Sequence, residues 1–150
     1  LFSFLTNKLS NNASNLIMIL LILLVIAIGI IFDMIGVAVL TAKESTFHAM
    51  SSKKIKGAKI ATKLIRNNVR VASFCNDIIG DICGIVSGGL GAVLAISMSN
   101  YIDITIATII TSAIISALTV TGKAIFKTVA VKKADNILFM ASKLLSIFNK

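Results

Sequence analysis

Three stretches of the chain, residues 9–32, 82–102 and 104–122, carry no charged side chain at all. An α-helix needs about 20 predominantly apolar residues to cross the hydrocarbon layer of a bilayer, and each stretch supplies them or falls just short before continuing apolar beyond its charge-free core. The segments expected to span are therefore 15–42, 71–98 and 104–131. Of the 150 residues, 57% are hydrophobic and none is proline, so little polar sequence remains to cover a water-soluble fold. The expected fold class is an all-α membrane protein, one transmembrane domain over residues 1–150. It has three transmembrane helices, a basic connector at 43–70 and an amphipathic juxtamembrane helix at 134–149. A soluble catalytic domain has no room. The first apolar block is too long for the core of a signal peptide and lacks a basic start, so it is expected to stay in the mature protein.

The charge distribution gives the expected topology. Eight Lys/Arg (Lys43, Lys53, Lys54, Lys56, Lys59, Lys63, Arg66, Arg70) separate the first two spans, and five more (Lys127, Lys132, Lys133, Lys143, Lys150) lie at or beyond the end of the third. The turn at 99–103 has none and the amino-terminal segment has only Lys8. Positive-charge bias places both basic segments in the cytoplasm and the amino terminus and the 99–103 turn outside, in a multi-pass protein of the cell's inner (plasma) membrane. Within the basic segments, Ile55, Ala58, Ala61, Leu64 and Ile65 recur at helical spacing, as do Ile137, Met140, Leu144 and Phe148. Lysines occupy the opposite faces. Such helices suit the membrane interface, where anionic headgroups meet the lysines and acyl chains the apolar stripe; a solvated helix or one covering a partner subunit fits the same stripe. No aromatic stacking pattern accompanies the basic residues, so nucleic acid is not an expected partner. Cys75 and Cys83, eight residues apart, form no metal-ligand spacing and read as reduced packing residues.

Four ionisable residues stand inside the apolar spans: Asp33, Asp77, Asp81 and Lys123. Each costs roughly 2.5 to 3.5 kcal/mol at a helix centre, so inward placement is expected. Counted from the basic ends at 1.5 Å per residue, all four fall at one depth, ~10 to 17 Å from the boundary. Asp77, Gly80, Asp81, Gly84 and Gly88 share a face of an ideal helix, and Gly80, Gly84 and Gly88 form a small-residue pattern for close helix packing. Thr105, Thr108, Ser112, Ser116, Thr119 and Lys123 step by three or four residues and draw a polar stripe on the third span, as Gly29, Asp33 and Gly36 do on the first. The stripes are expected to face one another around a hydrated cleft, although hydroxyls in such helices often bond their own backbone. Three carboxylates against one ammonium leave a formal charge of −2, which calls for a proton, a second cation or water. A hard divalent ion, Mg²⁺ above all, fits carboxylate, hydroxyl and carbonyl oxygens. Enzyme signatures are absent, with no HExxH, Walker loop or GxSxG, and the single histidine is His48. The protein is expected not to be an enzyme.

Four segments together, Phe32–Ser45 (FDMIGVAVLTAKES), Lys56–Asn67 (KGAKIATKLIRN), Cys75–Ala95 (CNDIIGDICGIVSGGLGAVLA) and Gly122–Ile137 (GKAIFKTVAVKKADNI), carry a resemblance. In order and spacing they resemble the transmembrane domain of the CorB/CorC and CNNM (cyclin M) magnesium-transport proteins, and more closely a short CorB-like branch without cytoplasmic CBS domains. The resemblance covers about residues 15–150. It implies a homodimer with a belt of juxtamembrane helices and alternating access. It also implies a dehydrated Mg²⁺ held mid-membrane by a serine, an asparagine, a glutamate and backbone oxygen. Carried over by position, the serine falls at Asp33, the asparagine at Asn76, the glycine before the glutamate at Gly122, and the motif's lysine at Lys127. The chain departs from the pattern at Gly36, where the family has an acid, at Lys123, where it has the glutamate, and at Phe126, where it has a proline.

The leading expectation is transport of a divalent metal cation, or a transport-like role, in a homodimer. Asp33, Asp77 and Asp81 would attract the ion, Asn76 and Gly122 would supply neutral oxygens, and Lys123 would act as the intramembrane counter-ion. The alternative is a non-transporting scaffold or regulator in which Lys123 pairs with Asp77 or Asp81; proton-coupled transport stands third.

Overall fold

The computed structural model of the protein describes residues 15–99 and 101–148, and among these every regular element is helical. The elements are α1 (Asn15–Thr41), α2 (Glu44–Ser52), α3 (Ala58–Arg66), α4 (Asn68–Ser73), a wide turn (Phe74–Ile79), α5 (Gly80–Met98), α6 (Ile104–Lys132) and α7 (Ala134–Phe148). Lys8, Asn100, Lys150 and the last residue of the expected 134–149 helix lie outside the described residues.

Three helical stretches are long and apolar enough to cross a membrane: Asn15–Thr41, Asn68–Met98 and Ile104–Lys132. The 27 residues of α1 rise ~40 Å, more than the ~30 Å hydrocarbon layer. Large apolar side chains stay exposed along all three, among them Leu20, Ile31, Ile82, Ile85, Ile109 and Ile125. In water such a surface would drive aggregation; in lipid it meets a solvent of its own polarity.

The described chain divides into two compact units. One holds the residues up to Gly29 with Asp81–Gly122, and the other Ile30–Gly80 with Lys123 onward. In the first unit Met18, Ile22 and Ile26 form the buried stripe of α1 by steps of four, the spacing that keeps side chains on one helix face. Small residues set the close approaches. A Cβ on Gly29 would stand 3.1 Å from the Cβ of Cys83, and one on Gly91 would collide with the tip of Ile115. The Ser97 hydroxyl donates to the Asn15 side-chain oxygen, and α6 starts where the Asp103 carboxylate accepts the Thr105 N–H at 2.8 Å. That bond satisfies an orphan donor of the first turn and holds the Asp103 carboxyl below the usual carboxylate range.

In the second unit Val39, Phe47, Ala61, Ile65 and Leu138 form a core, with Ile35, Met50 and Val71 packed against it. The basic connector thus folds onto the end of α1 and onto α7. The apolar stripe of α3 is buried at Ala58, Ala61 and Ile65, while Lys59, Lys63 and Arg66 stay exposed. Ile55 falls before the helix and is exposed. Along α7 the buried side chains are Ala134, Leu138 and Ser142, whereas Met140 and Leu144 of the expected stripe face outward. The α3 contact selects this face. Gly57, at φ 90°, brings its Cα beside the α7 backbone, where a Cβ would stand 3.1 Å from the Lys143 nitrogen. Only a run of small residues, Gly57, Ala58 and Ser142, allows two helices so near each other.

Candidate functional site

The second unit holds Asp33, Asn76, Asp77, Lys123 and Lys127 of the membrane-spanning helices. Asp33 continues the buried face of α1 three residues beyond Ile30 and is only 3% exposed. Its Oδ2 is buried and accepts no hydrogen bond, and the nearest cation is the Lys127 ammonium, 3.9 Å away on α6. One turn further along α1, Gly36 is the point where Asn76 arrives. A Cβ on Gly36 would overlap the Asn76 Oδ1 and come within 2.9 Å of its Cγ. That Oδ1 is buried too and has no hydrogen-bond partner. Two oxygen acceptors, one charged and one neutral, are thus buried with their hydrogen-bonding capacity unspent, which costs roughly 1 to 3 kcal/mol per group.

The backbone around Asn76 explains its placement. Between Phe74 and Ile79 the helix widens, and the Gly80 N–H donates to the Cys75 carbonyl five residues back instead of the usual four. Such π-type turns advance the side chains by part of a turn relative to an ideal α-helix and recur at functional positions. Of the residues expected on one face, Asp77, Gly80, Asp81, Gly84 and Gly88, Gly80 is buried and the other four are exposed. Cys75 and Gly80 turn inward, whereas Asp77 and Asp81 are exposed within the chain. The three aspartates do not converge, and among the described residues no three His, Cys, Asp or Glu side chains come together as a metal cluster.

Lys123 is half-buried, and a Cβ on Gly80 would stand 3.3 Å from its ammonium. The expected contact of Lys123 with Asp77 or Asp81 is not among the ion pairs of the described residues, which are Glu44–His48, Glu44–Arg66 and Lys127–Asp33. The intramembrane cation beside a carboxylate is therefore Lys127, one helical turn beyond Lys123. Gly122 is half-buried. Of the glycine pattern, Gly80 makes a close approach, but at Gly84 and Gly88 an added Cβ would meet nothing within 4 Å. The polar stripe of α6 also departs from the expectation of a shared cleft. Ser112 and Ser116 are exposed, and the Ser112 and Thr119 hydroxyls donate to the Ile109 and Ile115 carbonyls of their own helix. The second lone pair of a helix carbonyl, whose first accepts the backbone N–H, offers these hydroxyls the nearest acceptor in a dry medium.

Below this group two carboxylates tie the basic segments together. Asp135, in the first turn of α7, accepts the Lys43 N–H at 2.9 Å and the Thr46 hydroxyl at 3.3 Å, joining the start of α2 to α7. Glu44 accepts from His48 at 3.1 Å and from Arg66 at 3.5 Å. The His48 bond, with Arg66 beside it, holds the Glu44 carboxyl below the ordinary carboxylate range. Neither role is marked by a motif. An acid at the head of a helix is the one cue for Asp135, since negative charge suits the positive end of the helix dipole.

No protein-family model matches the chain, and neither the curated proteins nor the solved structures yield a match.

Proposed function

We propose that this membrane protein binds a hard divalent metal cation, Mg²⁺ by choice of ligand, between α1 and the widened turn, and conducts it across the membrane. The observation that carries this reading is the two buried oxygens without a hydrogen bond, Asp33 Oδ2 on α1 and Asn76 Oδ1 at Gly36. Carboxylate and amide oxygens without nitrogen or sulfur nearby are the donor set that Mg²⁺ prefers, and the remaining positions of its octahedron would be filled by backbone oxygen or water. Lys127 then serves as the counter-ion that neutralises Asp33 when the cation has left, and Lys123, against Gly80, limits how much positive charge the region admits. Asp77 and Asp81, with open Gly84 and Gly88 between helical turns, suit a face covered by a second copy, because lipid-facing carboxylates are expensive. In this reading the protein is a homodimer with its basic segments in the cytoplasm.

Mg²⁺ flux into proteoliposomes tests it. Asp33→Asn and Asn76→Leu are each expected to lower flux by about tenfold or more, the equivalent of losing one charge-assisted contact. Flux of the unaltered protein equal to that of empty liposomes overturns the proposal. A second reading is favoured by the 3.9 Å Asp33–Lys127 contact: a membrane scaffold in which this ion pair is structural. There the single changes Asp33→Asn and Lys127→Met would each lower thermal stability in detergent, the double change would restore it, and no flux would accompany either.

A further inference from the structure

A groove of about 460 Å³ opens on the second unit between the end of α1, the start of the second spanning stretch and α7. Its wall includes Phe32, Ile35, Leu64, Phe74, Leu144 and Leu145, and its one charged residue is Arg70. We propose that this groove is a binding site for one anionic phospholipid, an acyl chain lying along the apolar wall and the phosphate held by the Arg70 guanidinium.

Three observations select that occupant. Arg70 lies in the first turn of the stretch Asn68–Met98, so its charge stands where that helix leaves the apolar layer, at headgroup height. Its neighbour Arg66 is already engaged by Glu44, whereas Arg70 has no carboxylate partner among the ion pairs of the described residues. The planar fork of a guanidinium matches two phosphate oxygens at once, which a lysine cannot do. Leading away from that fork, Phe74 and Leu144 are more than half exposed although α7 lies outside the three spanning helices. A ligand that is anionic at one end and hydrocarbon at the other satisfies both halves, while a soluble phosphate compound would leave the wall bare and a neutral lipid would leave Arg70 unmatched. Unlike the cation reading, this site requires only that the chain lies in a membrane.

Native mass spectrometry of the full chain, released from a neutral detergent, reads the result directly. Phosphatidylglycerol and phosphatidylcholine with the same acyl chains are offered in equal amounts, with glycerol 3-phosphate as the headgroup alone. Retention of phosphatidylglycerol about tenfold above phosphatidylcholine is expected, with no retained glycerol 3-phosphate. Arg70→Gln should bring the two lipids level, Arg70→Lys should keep part of the preference, and Leu144→Asn should lower retention of both. Lys53→Gln, on the connector away from the groove, should change nothing. Equal retention of the two lipids by the unaltered protein overturns the proposal, as does an unchanged preference in both Arg70 variants. Retention of glycerol 3-phosphate equal to that of the lipid also overturns it. A change of oligomeric state in Leu144→Asn with lipid retention intact would mean that a second copy fills the groove, and would likewise overturn it.

Discussion

Asp33 and Asn76 illustrate how single residues decide what this bundle can do. A carboxylate buried in an apolar helix is tolerated only with a partner, and Asp33 has one distant ammonium and one oxygen without a hydrogen bond. Asn76 could not reach its position if Gly36 carried a Cβ. Gly36→Ala is therefore expected to destabilise the protein by about 1 to 3 kcal/mol through overpacking, and to displace the Asn76 amide. Thermal unfolding in detergent measures the first effect; a melting temperature equal to that of the parent would deny the close approach. Glu44 gives a pH-dependent counterpart outside the spans. Its carboxyl titrates below its unfolded value because His48 and then Arg66 favour the ionised form. A depressed acid contributes stability above its unfolded pKa and loses it as pH falls through the folded value. The stability difference between the parent and Glu44→Gln should thus be present at neutral pH and vanish below the ordinary carboxylate range. A difference that persists undiminished in acid would rule out the ionised Glu44 as its source.

At the scale of elements, the connector between the first two spanning helices is the part most dependent on close packing. α2 and α3 have 9 residues each, a length at which isolated helices are marginal in water, so their order comes from the core around Phe47 and Leu138 that they share with α7. Gly57 starts α3 in a left-handed conformation and lies against the α7 backbone. Gly57→Ala meets both a backbone penalty and a steric one, and a loss of about 1 to 3 kcal/mol is expected. Protection of the α3 and α7 amides from hydrogen exchange should fall together in this variant. If only α3 loosens, the two helices are not one cooperative piece. The widened turn at Phe74–Ile79 is the other element with consequences, since it carries both the half-buried Asn76 and the exposed Asp77.

For the molecule as a whole, the exposed face of Asp77, Asp81, Gly84 and Gly88 carries the clearest expectation. Space is free around Gly84 and Gly88, so Gly84→Leu and Gly88→Leu should leave the fold of one chain intact. If a second copy packs on this face, the same changes should shift the population from dimer to monomer in a neutral detergent, as judged by light scattering. A dimer of unchanged stability in both variants would move the interface elsewhere. The three spanning helices and the basic segments between them are legible from the sequence, because length without charge and the placement of lysines are local properties. The packing glycines are only half legible. Gly29 and Gly36 meet neighbouring side chains, yet so does Gly91, which belongs to no simple spacing with Gly84 and Gly88.

What the amino-acid order determines by itself is the membrane class, the three long helices and the presence of Asp33, Asn76 and Lys123 within them. These follow from hydrophobicity and helical rise, which need no knowledge of neighbours. Which of the intramembrane charges meet was decided only in the tertiary structure. Asp77 lies exposed in the widened turn, and the ammonium that α6 sets beside a carboxylate is that of Lys127, against Asp33. Sequence spacing assumes an ideal 3.6-residue helix, and a single departure from that period rotates every later side chain relative to those before it.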